Sequence, residues 1–513
     1  MSKKIIAYDL GTGGNKASLY SSEGNCLAST FQAYETLYPG TGMHEQRPKD
    51  WWNSVVNSTR QLLSETGVDT TEIEALALSG HSLGVVPIDQ NGNLLRESTP
   101  IWSDSRAGKQ AEAFFQKTDE KNWYMTTGNG FPAKLYSAFK ILWYQDHEPD
   151  VFKDIAKVIG TKDYINYQLT GEVKTDFSYA SGCGVYDLIG WKYSEELLDA
   201  SGLDPDIFPE IVPSTEIIGE LTGEAAEALG LPKGVKVAAG GVDNSCMALG
   251  ARNIASGRVY LSLGSSAWIA VSADSPVLDP DSRPFVFTHV MPEMFTSAVS
   301  IFSGGNSFRW LRDQVFIDLV DKAEQEGLDV YELMTDMAAK SPVGANKLLF
   351  NPSLAGGSSQ EPSADIRGAY SGIDLGHTRA DLIRAGMEGI AMNLGAVLQV
   401  LKEFTALSDE MVIVGGGSKS DFWRQIFADV FEMKIVKTNI GEEAGSLGAA
   451  ALAAIGAGLW KDFSVVDEIH EVESVLEPIP ANSAVYRKLD PVYEKLRAAQ
   501  AEIGDDLAGL SLD

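Results

Sequence analysis

One local pattern occurs twice in the sequence, at the start of the chain and again near its centre. Residues 5–20 read as an apolar strand, a Gly-rich turn at 11–14 and a returning strand. Residues 259–271 repeat this arrangement around the small polar turn 264–266. Because predicted strands and helices alternate through the rest of the chain, the repetition indicates two related α/β domains.

The length of the chain supports this division. A single hydrophobic core rarely serves more than about 250–300 residues, and this chain has 513. Its composition, 44% hydrophobic and 22% charged, is that of a globular protein without disordered or fibrous segments. We therefore predict one domain over residues 1–246 and a second over residues 247–513.

Charge and cysteine content narrow the functional classes. A net charge of −30 argues against binding to nucleic acid or to an anionic membrane, but a pocket of backbone N–H groups can still bind a nucleotide. Cys26, Cys183 and Cys246 are too few and too far apart for a disulfide framework or a zinc site. No segment has the length of a signal peptide or a membrane span, so we expect a cytoplasmic protein.

The two turns are candidate phosphate-binding loops. Glycines expose backbone N–H groups to phosphate oxygens, Thr12 adds a hydroxyl, and Asp9 at the strand end is suited to hold Mg²⁺. Two such loops facing each other across a cleft would hold a triphosphate from both sides, whereas either loop alone is equally consistent with an ordinary tight hairpin. The nucleotide-binding patterns G-x-x-x-x-G-K-[ST] and G-x-G-x-x-G are absent.

Two further turns carry groups suited to catalysis or nucleotide binding. Asp243 follows a strand and two glycines, where a carboxylate can take a proton from a substrate hydroxyl. The alternative is that Asp243 caps a helix starting at Ser245. Residues 415–417 are three glycines between a strand and a helix, which would let an adenosine lie against the backbone or would simply form a tight turn.

The segment 80–84 matches G-x-S-x-G, the nucleophile elbow of serine hydrolases, with Ser82 as the nucleophile. An elbow leads into a helix, but residues 85–88 read as another strand, so a substrate-facing loop is the better interpretation. Trp102, together with the charged pair Asp104 and Arg106, could line a polyol pocket. The alternative for these three residues is a core tryptophan beside a surface ion pair.

Taken together, these motifs resemble the FGGY carbohydrate kinases over nearly the whole chain. The similar segments are the first phosphate loop at 9–13, His44-Glu45-Gln46-Arg47-Pro48 with Trp51-Trp52, Lys140-Ile141-Leu142-Trp143, Lys162-Asp163-Tyr164, Leu169-Thr170-Gly171, Gly241-Val242-Asp243-Asn244, Leu263-Gly264-Ser265-Ser266, residues 368–373 with Arg384 and Glu388, residues 414–418, and Leu447-Gly448-Ala449-Ala450. The resemblance implies two actin-like (ribonuclease H-like) α/β domains with the active site in the cleft between them.

The resemblance also implies residue roles. Asp243 would be the catalytic base and Asp9 would organise Mg²⁺. The residues expected at the sugar are His81, Ser82, Leu83, Trp102, Asp104, Asp243 and Asn244. The residues expected at ATP are Thr12, Gly13, Gly14, Lys16, Gly264, Ser265, Gly305, Arg309, Gly416, Gly417, Ser418 and Asp421. Homodimers are common in the family, so a homodimer is a further expectation.

Within the family, the chain is most similar to the xylulokinases, which implies phosphorylation of D-xylulose to D-xylulose 5-phosphate. Xylulokinases usually carry G-Q-M-H-G where this chain has residues 80–84, so Ser82 and Leu83 replace the Met-His pair of the sugar site. Residues 350–360 also lack the usual G-E-R-x-P. Another ketose, a polyol, an aldonate or a signalling sugar analogue therefore stays open as substrate, and so does a non-catalytic, chaperone-like role.

Overall fold

The computed structural model describes residues 3–511 and contains 25 strands. They are β1 (Lys4–Gly11), β2 (Gly14–Ser21), β3 (Cys26–Ala33), β4 (Leu37–Gly40), β5 (Met43–Gln46), β6 (Ile73–Gly80), β7 (Val86–Ile88), β8 (Thr99–Pro100), β9 (Lys157–Ile159), β10 (Lys174–Asp176), β11 (Tyr186–Asp187), β12 (Lys192–Tyr193), β13 (Glu210–Val212), β14 (Ile217–Glu220), β15 (Lys236–Ala238), β16 (Gly241–Val242), β17 (Val259–Leu263), β18 (Ala267–Ala273), β19 (Phe285–Thr288), β20 (Phe295–Ile301), β21 (Leu349–Asn351), β22 (Ala369–Ser371), β23 (Glu410–Val414), β24 (Lys434–Thr438) and β25 (Val472–Leu476).

Eighteen α-helices accompany these strands in the same residues 3–511. They are α1 (Pro48–Thr66), α2 (Gly108–Phe114), α3 (Glu120–Thr127), α4 (Ser137–His147), α5 (Pro149–Asp154), α6 (Thr161–Thr170), α7 (Phe177–Ala180), α8 (Glu195–Ser201), α9 (Gly223–Leu229), α10 (Asp243–Gly250), α11 (Gly305–Trp310), α12 (Ile317–Glu326), α13 (Val330–Ala338), α14 (Arg379–Phe404), α15 (Asp421–Phe431), α16 (Ala444–Gly456), α17 (Val465–Ile469) and α18 (Pro480–Gly509). Within the described chain, no helix is both long and apolar enough to cross a membrane.

The first half of the chain forms a seven-stranded mixed sheet. Its order is β14-β15-β6-β1-β2-β3, and β16 also pairs with β6. β1 pairs antiparallel with β2 and parallel with β6, so the Gly-rich turn and the carboxyl end of β6 lie at the same edge. This edge collects Asp9, the turn and residues 80–84, because parallel strands end together.

The second half repeats this core. Its sheet has the order β19-β20-β18-β17-β23-β24-β25, in which β17 pairs antiparallel with β18 and parallel with β23. The hairpin β17–β18 therefore corresponds to β1–β2, and β23 corresponds to β6. The predicted repetition of an α/β core is confirmed, whereas the division after residue 246 stays a prediction.

The two halves meet where helices α10 and α16 cross. A Cβ atom on Gly448 of α16 would lie 1.9 Å from the carbonyl oxygen of Cys246, and one on Gly250 of α10 would lie 1.8 Å from that of Ala444. Glycine at both positions lets the two backbones touch. α16 also packs on β1 and β6 of the first sheet, and Tyr20 and Ser446 share a hydrogen bond of 2.8 Å between their hydroxyls.

The C-terminal helix α18 packs elsewhere. It contacts α14, α15 and β21, all from the second half of the chain. Two of its tyrosines make buried hydrogen bonds there, Tyr486 to the carboxylate of Glu388 and Tyr493 to the carbonyl oxygen of Gly389. α16 therefore extends the core of the first sheet, whereas α18 packs on elements of its own half.

Replacing Gly448 with alanine is expected to lower the free energy of unfolding by about 1–3 kcal/mol, because the added methyl group would overlap the α10 backbone. Urea denaturation measures the change. Gly441→Ala is the matched control, since its Cβ would meet no atom within 4 Å. Equal stability of Gly448→Ala and the parent protein would contradict the close crossing.

Candidate active site

The first Gly-rich turn is fixed by side chains from three separate segments. Gln46 donates its amide to the carbonyl oxygen of Thr12 at 2.7 Å, and Trp51 donates to the Gln46 side-chain oxygen at 2.9 Å. The hydroxyl of Tyr34 donates to the carbonyl oxygen of Gly11. A Cβ on Gly13 would meet nothing within 4 Å, so the tip of the turn is open for a ligand to approach.

Trp102 completes this support. Its indole N–H donates to the hydroxyl oxygen of Thr12 at 2.8 Å. The ring is only half-buried, so it is neither a plain core residue nor a free surface residue. The Thr12 hydroxyl keeps its own hydrogen, which remains able to donate to a phosphate oxygen.

The second turn is held by backbone groups. Gly305 N–H donates to the carbonyl oxygen of Gly264 and Asn306 N–H donates to that of Ser265, both at 2.9 Å. A Cβ on Gly305 would lie 2.3 Å from the Gly264 oxygen, which explains why glycine begins helix α11. The first two N–H groups of this helix are therefore used to position the turn.

A cavity of about 870 Å³ opens beside this second turn. Seven of the residues predicted to bind ATP line it: Gly264, Ser265, Gly305, Arg309, Gly416, Gly417 and Asp421. Ser418 does not line it, because its hydroxyl donates to the carbonyl oxygen of Gly415 at 2.7 Å and so closes the turn. Thr12, Gly13, Gly14 and Lys16 lie outside it, on the first hairpin.

Sequence reasoning missed one wall of the cavity. Helix α13 and its cap contribute Asp329, Tyr331, Glu332, Thr335 and Asp336. The apolar spacing of residues 330–338 could have predicted an amphipathic helix. No motif marks its polar face as the one that points toward a ligand, so only the tertiary structure identifies these residues.

Asp243 is the first residue of α10, which Val242 precedes as the cap residue. The alternative that Asp243 caps a helix starting at Ser245 is therefore wrong. Asn244 N–H donates to the carboxylate at 2.8 Å, and Val242 N–H donates to the hydroxyl of Ser178 at 2.9 Å. Burial raises the pKa of the Asp243 carboxyl to about 7, and the nearby charge of Asp9 adds to this rise.

Asp9 lies at the end of β1 against the start of α16. Ser79 donates to one carboxylate oxygen at 2.7 Å, and a Cβ on Gly445 would lie 2.8 Å from the other. Burial raises the pKa of Asp9, while the Ser79 hydrogen bond and the charge of Lys16 oppose this rise. The Lys16 ammonium also pairs with Glu443 at 3.2 Å, which joins the first hairpin to the second half.

The loop 80–84 connects β6 to β7 without a helix. A nucleophile elbow requires that helix, so the serine hydrolase alternative is contradicted. His81 is buried, packs on Trp51 and contacts the Thr161 hydroxyl at 3.2 Å. Burial lowers the pKa of His81 to about 4, so its ring is neutral near pH 7. Ser82 and Leu83 are also buried.

Asp104, another residue predicted at the sugar site, belongs to a buried group of charged side chains. Its carboxylate is buried, accepts from His44 N–H at 2.7 Å and pairs with Arg106 at 2.8 Å. Glu45 shares the same arginine at 2.6 Å. The alternative that placed this ion pair on the surface is thus wrong, and a direct contact between Asp104 and a sugar stays a prediction.

The comparisons with known proteins agree with this geometry. Residues 4–250 match the N-terminal domain of the FGGY family of carbohydrate kinases, and residues 259–457 match its C-terminal domain. A xylulose kinase from Staphylococcus epidermidis is 31% identical over 504 residues, which cover 98% of each chain.

Two solved structures are similar over almost their whole length. Ligand-bound xylulose kinase from Lactobacillus acidophilus has a TM-score of 0.89 and 28% identity, covering 97% of this chain and 98% of that one. Gluconate kinase from the same organism has a TM-score of 0.88 and 28% identity, covering 98% and 99%. With both domain matches and this shared actin-like, ribonuclease H-like fold, the chain belongs to the FGGY family of carbohydrate kinases and is an ATP-dependent sugar kinase.

Proposed function

We propose that this kinase converts D-xylulose to D-xylulose 5-phosphate. Two xylulose kinases that are 31% and 29% identical over nearly the full chain support this substrate. Gluconate is the second candidate, since gluconokinase from Bacillus subtilis is 28% identical over 97% of the chain. Because Ser82 and Leu83 replace the Met-His pair that xylulokinases usually carry, gluconate stays a candidate substrate.

The setting of Asp243 at the start of α10 is the observation that carries the phosphoryl-transfer step of this proposal. A general base works best when its pKa lies near the working pH, and burial brings the pKa of Asp243 to about 7. Asp243 accepts the proton of the sugar hydroxyl, whose oxygen forms a bond to the γ-phosphorus of ATP. The bond from that phosphorus to the β–γ bridging oxygen breaks, and ADP leaves with its electron pair.

The two turns are proposed to bind the phosphates from opposite sides. Open backbone at Gly13, the Thr12 hydroxyl and the N–H groups around Ser265 are donors suited to phosphate oxygens. Both turns are fixed before the ligand arrives, which reduces the cost of reorganisation during transfer. The cavity lined by Arg309, residues 416–417 and α13 is proposed to hold the adenosine.

Mg²⁺ is the proposed metal, and Asp9 is the residue that would hold it. Burial raises the pKa of the Asp9 carboxyl, and a bound cation would favour its charged form. Among residues 3–511 no set of three or more metal-ligating side chains occurs. Mg²⁺ commonly takes one or two carboxylates and completes its shell with water and phosphate oxygens, and when bound it would neutralise phosphate charge.

Substrate choice is tested by measuring ADP release with MgATP and a panel of D-xylulose, D-ribulose, L-ribulose, glycerol and gluconate. We expect D-xylulose to give the highest kcat/KM. If only gluconate or another panel member is turned over, D-xylulose is not the substrate, although the protein is still a sugar kinase. The loop containing Ser82 and Leu83 would then be the first candidate for the altered specificity.

Asp243→Asn is expected to reduce kcat by about 100-fold to 10,000-fold, because the amide cannot accept the hydroxyl proton. MgADP binding, measured by titration calorimetry, is expected to stay within a few-fold of the parent. Asp69→Asn, an exposed residue that caps a short turn of helix in the first half, serves as the matched control. Normal turnover by Asp243→Asn would refute this choice of base.

The pH dependence of kcat/KM follows from the same carboxyl. The base must be deprotonated to act, and its pKa is about 7, so kcat/KM is expected to fall as the pH drops below about 7. A pH series with saturating MgATP measures this limb. A rate that stays constant down to the ordinary pKa range of aspartate would show that no group with a raised pKa is needed.

A further inference from the structure

Lys140 is a fully buried lysine on helix α4, with 0% of its surface exposed. Its ammonium donates to the carbonyl oxygens of Ile101 at 2.6 Å, Leu83 at 3.1 Å and Trp102 at 3.5 Å. Throughout residues 3–511, no carboxylate lies within ion-pair distance of this ammonium. A buried charge normally requires a partner, and here backbone carbonyls of two separate loops take that place.

The first of these loops is strained. Leu83 has a φ of 60°, in the left-handed region that a branched apolar residue rarely adopts. Its side chain is buried, so the loop cannot relax by turning it outward. A conformation of this kind persists only when surrounding groups hold it, and the bond from Lys140 to the Leu83 carbonyl oxygen is one such group.

The second loop leads to the first phosphate turn. Lys140 holds the carbonyl oxygens of Ile101 and Trp102, and the Trp102 indole donates to the Thr12 hydroxyl. An unbroken series of hydrogen bonds therefore runs from the Ser82–Leu83 loop through Lys140 and Trp102 to Thr12. Each end of this series is a segment proposed to contact one of the two substrates.

We propose that Lys140 is a positioning residue, whose ammonium holds the Ser82–Leu83 loop and the Trp102 loop together and so sets the sugar site against the first phosphate turn. This inference rests on the proposed function for the identity of the two substrates. Phosphoryl transfer needs the hydroxyl in line with the γ-phosphorus, and a displacement of about 1 Å can cost about 100-fold in rate.

The free-energy cost of burying the Lys140 ammonium supports a role beyond packing. Burial lowers the pKa of Lys140 to about 7, the charge of Asp104 opposes this fall, and the charge of Arg106 adds to it. The other titratable neighbour, His81, is neutral at that pH because burial has lowered its own pKa. An apolar side chain of similar length would fill the same space without this cost.

The test is Lys140→Met, which keeps the length of the side chain and removes the three donors. With the best sugar of the panel, kcat/KM is expected to fall about 100-fold, while MgADP binding without sugar stays within about twofold. Lys402→Met is the matched control, because Lys402 also donates to a backbone carbonyl, that of Phe431 at 2.9 Å, but lies in the second half. That control is expected to keep parental kinetics.

A crystal structure of Lys140→Met gives a readout independent of turnover. We expect Leu83 to leave the left-handed region or Trp102 to leave Thr12. If both stay in place, or if kcat/KM of Lys140→Met equals that of the parent, the inference is overturned. Equal losses in sugar turnover and MgADP binding would also overturn it, since they indicate general destabilisation.

Different outcomes would contradict the proposed substrates and the proposed role of Lys140. If the parent protein phosphorylates no sugar of the panel, the proposed substrates are wrong, and the crystal structure alone then decides the role of Lys140. If Lys140→Met does not fold, Trp102→Phe replaces it, because it breaks the bond to Thr12 and leaves Lys140 in place. A parental kcat/KM for Trp102→Phe would then overturn the inference.

Discussion

The close crossing of helices α10 and α16 is the constraint on which the rest of the structure depends. Both helices begin at the active-site edge: α10 starts with Asp243, and the start of α16 presses Gly445 against Asp9. Because glycines at 250 and 448 let the backbones touch, the two carboxylates are held by a contact between main chains. The same crossing joins the two sheets, so the site and the connection between the halves share one physical origin.

Sequence patterns predicted the parts of the site whose causes are local. An apolar strand followed by glycines and a polar residue forms a hairpin, which is why the turns at 11–14 and 264–266 and the strand leading to Asp243 were predictable. Contacts between residues far apart in the chain were not predictable in this way. The support of Thr12 by Gln46 and Trp102, the wall formed by α13, and the packing of α16 on the first sheet depend on partners far apart in the chain.

The burial and pairing of charged side chains were the features least predictable from the sequence. The sequence marks Asp104 and Arg106 as polar neighbours, but only the structure pairs them in the interior with Glu45. Asp9 and Asp243 differ from this group, because burial raises both of their pKa values and the charge of Lys16 partly opposes the rise at Asp9. The acidic chain thus neutralises its carboxylates inside the first half and leaves the pair at the cleft incompletely compensated.

The two turns differ in how they are held, and this difference bears on how the protein can vary. The second turn is fixed by main-chain N–H groups of Gly305 and Asn306, so most side chains around it can change without moving it. The first also has a main-chain bond, from Tyr34 N–H to the carbonyl oxygen of Gly13, but it depends in addition on the side chains of Gln46, Tyr34 and Trp102. Side-chain substitutions around the first hairpin are therefore expected to disturb its turn more often than those around the second.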